Sequence, residues 1–200
     1  MTVEAEQLQH GGEHALADLF SSCRDRLERL VDFRLDPRLR SRIDPHDILQ
    51  ETYLEISRRV TDYISRPEVS FYIWARQITV QTLIDTQRRH FGQKRSPTQE
   101  VSLSFEQDGS GTCYSIARAI AANHTTPSRA AMKAEEIEQL HAALATLDEI
   151  DREVLAMRHF EHLNNKEVAE ALGLSITAAS NRYVRAMTRL SEILQNVMNG

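Results

Sequence analysis

The chain has 200 residues, with 24 Lys or Arg against 29 Asp or Glu, which gives a net charge of −5 at neutral pH. This length allows one ordinary domain or two small ones, and few Gly and Pro among many helix formers predict an all-α fold. No apolar run reaches the roughly 18 residues of a membrane span, the polar N-terminus lacks a signal-peptide core, and two distant cysteines exclude a disulfide scaffold. We therefore expect a cytoplasmic protein in a reducing compartment.

A first helical domain is predicted over residues 10–92. Apolar side chains between residues 16 and 30 recur every three or four positions, which is the spacing of one buried helical face. Asp44 followed by Pro45 predicts the start of a second helix, because Asp caps helices and Pro fits their first turn. A third helical run is expected from about residue 69 to residue 91.

A linker is predicted over residues 93–132, followed by a second helical domain over residues 133–198. The linker segment is rich in Ser, Thr, Gln and Asn and contains Gly and Pro. About forty residues are too long for a loop inside a compact domain, so this stretch indicates a domain boundary. A short helix is expected within it, from Ser115 to Ala122. The predicted fold is thus two small helical domains joined by a flexible linker.

The second domain contains the pattern of a helix-turn-helix. Asn164 and Glu167 have the spacing of a capping box, and Gly173 suits the left-handed turn that ends a helix. Ser175 can then cap a second helix, which in this motif enters the DNA major groove. Its first two turns should face base edges, which predicts DNA contacts by a set of polar side chains: Thr177, Ser180, Asn181, Arg182 and Arg185.

The distribution of charge favours DNA binding despite the negative total. Residues 175–190 contain three arginines and no acid, whereas residues 135–170 contain ten acids against three bases. A basic helix of this kind is typical of DNA readers. The alternative is a pair of packed helices with an ordinary solvated basic face.

Residues 69–95 combine aromatic with basic side chains. Phe71, Tyr72 and Trp74 precede Arg88 and Arg89, and aromatic rings stack on unpaired bases while arginines bind phosphates. This composition suits single-stranded DNA. The alternative is that the aromatic rings, which recur at helical spacing, belong to the core.

Carboxylates recur at helical spacing in the second predicted helix, at Asp44, Asp47, Glu51 and Glu55. They fit a metal site, a solvated face or a docking surface, and the lack of His or Cys partners argues against metal. The group formed by His159, Glu161 and His162 also suggests a metal site, but its spacing matches no strong ligand signature. There is no Gly-rich phosphate loop, GxSxG or HExxH motif. We therefore expect no enzyme, no bound metal and no cofactor.

In chain order, these segments resemble the extracytoplasmic-function (ECF) group of bacterial sigma factors. Residues 44–53, DPHDILQETY, resemble the family's D-x-x-D-hydrophobic-x-Q-E-T-F stretch, which contacts the clamp helices of the polymerase β′ subunit. The resemblance implies polymerase binding by four side chains: Asp44, Asp47, Gln50 and Glu51. Residues 10–92 would then be a region 2-like domain.

Residues 71–89 resemble the family's F-x-x-W-L-x-x-I-A-x-N-x-x-x-D-x-x-R-R stretch, which melts and reads the −10 promoter element. The resemblance implies DNA contacts by Phe71, Trp74, Gln81, Arg88 and Arg89. Residues 144–175 resemble the domain that reads the −35 element, so residues 133–198 would be region 4-like. In the family this arrangement binds core RNA polymerase, at the β′ clamp helices and the β flap, and promoter DNA.

The sequence departs from the family pattern at several positions. Gln81 stands where the family has Asn, Ser180 where it has a basic residue, and Ala179 where it has a β-branched one. These changes bear on the promoter sequence that is recognised more than on function. The resemblance implies a sigma factor that directs transcription initiation, controlled by a separate anti-sigma protein or by its expression. The alternatives are a conventional helix-turn-helix regulator and an adaptor of polymerase or of an anti-sigma protein that does not bind DNA.

Overall fold

A computed structural model describes residues 2–92, 110–124 and 130–199. The chain divides into two compact units, Met1–Arg95 and Ser96–Gly200. All regular secondary structure within the described ranges is helical, which confirms the predicted all-α class. Within those ranges, no helix has both the length and the apolar character needed to cross a membrane.

The N-terminal unit contains three long helices: α1 (Val3–Arg34), α2 (Pro45–Ser65) and α3 (Phe71–Gly92). Helix α1 is interrupted at Gly12, whose φ of 54° lies in the left-handed region that favours glycine. Asp44 caps α2 by accepting a hydrogen bond from the backbone N–H of His46, and Pro45 occupies the first turn, as the sequence predicts. The three helices pack pairwise around a core of fully buried side chains, among them Leu27, Leu30, Ile48, Ile56, Ile73 and Leu83.

The described residues of the C-terminal unit form five helices: α4 (Ser110–His124), α5 (Ala130–Leu144), α6 (Glu149–His159), α7 (Asn165–Leu172) and α8 (Ile176–Asn199). Helix α4 lies inside the predicted linker and begins before the short helix expected at Ser115. Its Cys113, Ile116 and Ala117 are buried, and the helix packs on α5 and α6. This part of the predicted linker therefore contributes to the packed unit. Residues 93–109 and 125–129 of the linker lie outside the described residues.

Helices α7 and α8 have the end structures that the sequence predicts for a helix-turn-helix. The Asn164 side chain accepts from the N–H groups of Lys166 and Glu167, and the Glu167 side chain accepts from the N–H of Asn164 at 2.9 Å. Gly173 ends α7 with a φ of 64°. The Ser175 hydroxyl accepts from the N–H of Ala178 at 3.1 Å and so caps α8. Local capping thus fixes the turn between the two helices.

The two cysteines are buried, one in each unit. Burial raises the pKa of Cys23 and of Cys113 to about 11. The reactive thiolate form of both cysteines is therefore scarce at neutral pH.

Candidate nucleic-acid and protein interfaces

The outer face of α8 is formed by the residues predicted to approach DNA bases. Thr177 and Asn181 are exposed and Ser180 is half-buried, whereas Ala179 and Ala186 are buried against the rest of the unit. The small alanines allow α8 to pack closely on its neighbours, which leaves the opposite side of the helix outermost. The position of these polar side chains agrees with a role in base contact, which stays a prediction.

The two arginines predicted to bind DNA are held by a buried carboxylate. Arg182 donates from Nη1 to Oδ1 of Asp151 at 2.8 Å, and Arg185 donates from Nε and Nη2 to both Asp151 oxygens at 2.9 and 2.8 Å. The Asp151 side chain is only 2% exposed, while those of Arg182 and Arg185 are 27% and 52% exposed. The arginines therefore fasten α8 to the first turn of α6.

The two arginines keep the carboxyl group of Asp151 in its charged form. Burial of Asp151 by itself raises the pKa of the carboxyl group, but the hydrogen bonds and charges of Arg185 and Arg182 outweigh burial and hold this pKa below its ordinary value. The hydrogen bond to Asp151 in turn raises the pKa of Arg185. The carboxylate stays ionised and accepts bonds from both arginines over the physiological pH range.

The turn before α6 positions Asp151. Asp148 caps α6 by accepting from the N–H of Ile150 at 2.9 Å. Buried Arg152 donates from Nη1 to the carbonyl oxygen of Leu147 at 2.6 Å and to that of Ala145 at 3.2 Å. These bonds fix the start of α6, so the Asp151 carboxylate faces α8 from a rigid position.

Tyr183 packs on the flank of α8 away from Asp151 instead of in the centre of the core. Its side chain is half-buried, its hydroxyl lies 3.2 Å from Nε2 of His159, and the Arg158 guanidinium lies 5.2 Å from the ring centre. The sequence pattern predicts that Tyr183, Met187 and Leu190 point into the core. All three are half-buried, and among the described α8 side chains the fully buried ones are those of the two alanines.

Phe71 belongs to the core of the N-terminal unit, which is the alternative that the sequence left open for the aromatic rings, and its contact with DNA stays a prediction. Its side chain is 2% exposed, and its ring centre lies 5.9 Å from that of Tyr63 and 5.8 Å from that of Trp74. Trp74 is half-buried and stacks on Tyr63 at 4.7 Å. In this conformation Phe71 cannot stack on a base, whereas one part of Trp74 reaches the surface.

The outer face of α3 meets α2 through an ion pair between two predicted binding residues. Arg89 donates from Nη2 to both carboxylate oxygens of Glu51, at 2.8 and 2.9 Å, and the Thr86 hydroxyl also donates to Glu51 at 3.2 Å. Earlier in α3, exposed Gln81 donates to Asp85 at 3.0 Å. Arg88, which precedes Arg89, is half-buried. The predicted polymerase-binding and DNA-binding residues are therefore adjacent at Glu51 and Arg89.

The remaining predicted polymerase-binding residues lie on the exposed side of α2. Asp44, Asp47 and Gln50 are all exposed. A cleft of about 300 Å³ runs between α1 and α2 beside Gln50, and its lining includes Phe20, Arg24, His46, Leu49 and Tyr53. The surface thus combines acidic and amide groups with an aromatic cleft. In the part of the chain that the structure describes, no three His, Cys, Asp or Glu side chains are arranged to hold a metal ion.

Comparison with known proteins finds sequence matches to bacterial RNA polymerase sigma factors. Residues 137–190, which include the helix-turn-helix, match the family model described as Sigma-70, region 4. The chain is 25% identical over 157 residues to the RNA polymerase sigma factor NccH of Alcaligenes xylosoxydans xylosoxydans, covering 76% of this chain and 74% of NccH. The chain is thus similar to an RNA polymerase sigma factor over most of its length.

Two further proteins support this relationship. The ECF RNA polymerase sigma-E factor of Haemophilus influenzae is 23% identical over 193 residues, which covers 96% of this chain and 94% of that protein. The solved structure of CnrH in complex with the cytosolic domain of CnrY has a TM-score of 0.53 and 19% identity, covering 97% of this chain and 96% of CnrH. At that identity the structural match supports the fold alone.

Two features of these interfaces are missed by sequence reasoning. Asp151 lies in an acidic stretch from Asp148 to Glu153, so its charge gives no sign that it is buried or paired. The pairing of Glu51 with Arg89 joins residues 38 positions apart, a distance over which periodicity carries no information. The sequence signals that did point to these surfaces are the three arginines in α8 and the helical spacing of the acids in α2.

Proposed function

We propose that this chain is a sigma factor that acts in the cytoplasm, binds core RNA polymerase and directs it to promoters. In this proposal α2 docks on the β′ clamp helices, α3 melts the −10 element, and the C-terminal unit contacts the β flap and reads the −35 element with α8. The chain would act by binding and positioning, without catalysing a reaction of its own.

One observation carries the proposal. The segment matching Sigma-70, region 4 folds into a helix-turn-helix whose second helix leaves Thr177 and Asn181 on its outer face. A helix presented in this way fits the major groove. A conventional regulator would share this unit, but the relation to ECF sigma factors extends over most of the chain and favours the sigma factor.

A separate protein is proposed to control the activity. The related protein CnrH has been solved in complex with the cytosolic domain of a second protein, CnrY. By this likeness, we propose that an anti-sigma protein binds the present chain.

Transcription in vitro tests the proposed function. The complete chain is added to core polymerase with a library of genomic fragments, and new transcripts are sequenced. A sigma factor should produce transcripts that start at defined sites and depend on both components. Binding to DNA without binding to core would indicate a conventional regulator. Binding to core without new transcripts would indicate an adaptor.

Reversing charge on the exposed side of α2 should weaken the binding of core polymerase. We expect Asp47→Arg with Gln50→Arg to lower affinity by about tenfold or more, since the change replaces an acidic group of the proposed docking surface by basic ones and so removes charge complementarity. This pair leaves the Glu51–Arg89 bridge intact. Ser22→Arg with Asp25→Arg is the matched control, because it adds the same charge at the same spacing on exposed positions of α1. If both double variants bind core polymerase with equal affinity and have unchanged circular dichroism, α2 is not the docking surface.

Removing the basic groups at the end of α3 should impair promoter opening. We expect Arg88→Ala with Arg89→Ala to reduce permanganate reactivity of promoter thymines, and to make the salt dependence of binding shallower by about one unit per arginine. Glu51→Gln removes the ion pair with Arg89 but keeps both arginines, and its affinity for core is measured as well because Glu51 is a predicted docking residue. If Glu51→Gln binds core normally but reduces opening as much as the arginine variant does, the arginines act by holding α2 and α3 together instead of by contacting DNA.

A further inference from the structure

The outermost stripe of α8 carries no charge. Thr177, Asn181, Val184 and Thr188 are separated by four, three and four positions, so they share one helical face, and all four are exposed. Ala179 and Ala186 are buried on the opposite side. Val184 is 60% exposed at the middle of this stripe, which places an apolar β-branched side chain where the helix is farthest from its own unit.

The basic side chains of α8 lie to one side of this stripe. Arg182 and Arg185 direct their donors at Asp151, and Arg182 also lies 3.5 Å from Asp148. Recognition of guanine in the major groove uses a guanidinium or ammonium group that donates to O6 and N7. The two guanidinium groups in the first three turns of α8 already share a buried acceptor, and breaking that arrangement would leave the Asp151 carboxylate without these bonds. The third arginine, exposed Arg189, lies a turn further along α8, beyond the first turns that face base edges in a helix-turn-helix.

We infer that α8 reads an A·T pair, with Val184 contacting the 5-methyl group of thymine and Asn181 bonding to adenine. The thymine methyl is the apolar feature that base pairs present in the major groove, and it is read by apolar contact, while Asn pairs with N6 and N7 of adenine. Asn181 and Val184 are three positions apart on the same face, so they can reach one base pair or two adjacent pairs. This inference rests on the proposed reading of a promoter element by α8, and it assigns the base class and Val184 as a specificity-determining residue.

The same geometry gives Arg182 and Arg185 a positioning role. They hold α8 against the fixed first turn of α6, so the neutral stripe is presented at a defined angle. Their exposed edges remain beside the stripe, where a phosphate of the DNA backbone would lie. Contacts with phosphate orient a protein on DNA without selecting sequence.

Replacement of thymine by deoxyuridine tests the inference, because it removes the methyl group and leaves every hydrogen-bonding group in place. Duplexes are first selected from a library randomised in the upstream promoter segment, using the complete chain both alone and with core polymerase. We expect enrichment of an A·T step. Substituting deoxyuridine at the critical thymine should weaken binding about fourfold, the effect of one methyl-sized apolar contact.

The variant Val184→Ser completes a double-mutant cycle. It should bind the thymine duplex about as weakly as the unchanged chain binds the deoxyuridine duplex, and it should not respond further to deoxyuridine. Val3→Ser is the matched control, since Val3 is 80% exposed on α1, and it should keep the full fourfold response. Folding is not at risk in either variant because both valines are exposed.

Three results would overturn the inference. Val184→Ser could keep the fourfold response to deoxyuridine, or the enriched element could be a G·C step whose binding is lost in Arg182→Ala. A third result, in which core polymerase is bound but neither sample enriches any upstream sequence, would reject base reading by α8 together with that part of the proposed function. Failure to bind core would contradict the proposed function alone, because the selection with the free chain still reports on Val184.

Discussion

Replacing both Arg182 and Arg185 with alanine should lower the free energy of unfolding of the C-terminal unit by about 3–5 kcal/mol. Removing the partners of a buried charge has a cost of this order. The Asp151 side chain is 2% exposed, and the hydrogen bonds described for its carboxylate come from these two arginines. The loss should appear in chemical denaturation and as faster amide exchange in α6 and α8.

Single alanine variants and a rescue variant show whether the lost stability comes from the unpaired Asp151 carboxylate or from lost packing of the arginine side chains. Each single alanine leaves one arginine on Asp151 and should be clearly milder than the double variant. Adding Asp151→Asn to the double variant removes the buried charge and should recover most of the lost stability. If the triple variant is as unstable as the double, the cost arises from lost arginine packing and not from an unpaired carboxylate.

The contribution of Asp151 to the free energy of unfolding should change with pH in opposite directions in the parent chain and in the double variant. In the parent chain the pKa of Asp151 is lowered, so its contribution is present above the unfolded pKa of about 3.9 and is lost as pH falls through the folded pKa. Without the arginines, burial should raise the folded pKa, and the variant should recover stability as pH falls below that value. The stability difference should therefore narrow on acidification. A constant difference from neutral pH down to about pH 4 would contradict this explanation.

Local chemistry made the helix-turn-helix predictable from the sequence. Asn164 with Glu167, Gly173 and Ser175 each act within a few residues of themselves, and the structure contains the cap or turn that each one predicts. Such signals need no knowledge of the rest of the fold. The start of α2 at Asp44 was predictable for the same reason.

Tertiary contacts decided the features that the sequence did not reveal. The charge of Arg182 and Arg185 predicts DNA contact equally well whether or not a carboxylate lies beside them, and Asp151 is one of several acids in its stretch. The sequence predicts a short helix within α4, from Ser115 to Ala122, but not its packing on the second unit, because α4 buries few apolar side chains: Cys113, Ile116 and Ala117. In each case the deciding partner lies on another helix of the same unit.

The aromatic residues of α3 show the same limit. Phe71 and Trp74 have the spacing of a helical face, and this pattern does not tell a core face from a face that stacks on bases. The structure divides the pair, since Phe71 is fully buried and Trp74 is half-buried against Tyr63. Variants of Phe71 therefore test whether this ring stays in the core when the protein binds DNA.

Phe71→Ala should lower the free energy of unfolding of the N-terminal unit by about 3–5 kcal/mol, the usual cost of removing a buried aromatic ring. Phe71→Leu keeps most of the volume and should cost less, about 1.5 kcal/mol or below. The chain has a single tryptophan, Trp74, whose ring centre lies 5.8 Å from that of Phe71, so its fluorescence reports on this unit directly.

The comparison with Trp74 separates stability from DNA contact. Trp74→Ala, followed by circular dichroism, should cost less stability than Phe71→Ala, because part of its ring is already exposed. If one of the two rings contacts unpaired bases, Trp74 is the one whose position permits it. In that case Trp74→Ala should reduce promoter opening at temperatures where the unit remains folded, and Phe71→Leu should not. The reverse pattern, with a stable Phe71→Leu unit that no longer opens promoters, would mean that Phe71 leaves the core when DNA binds.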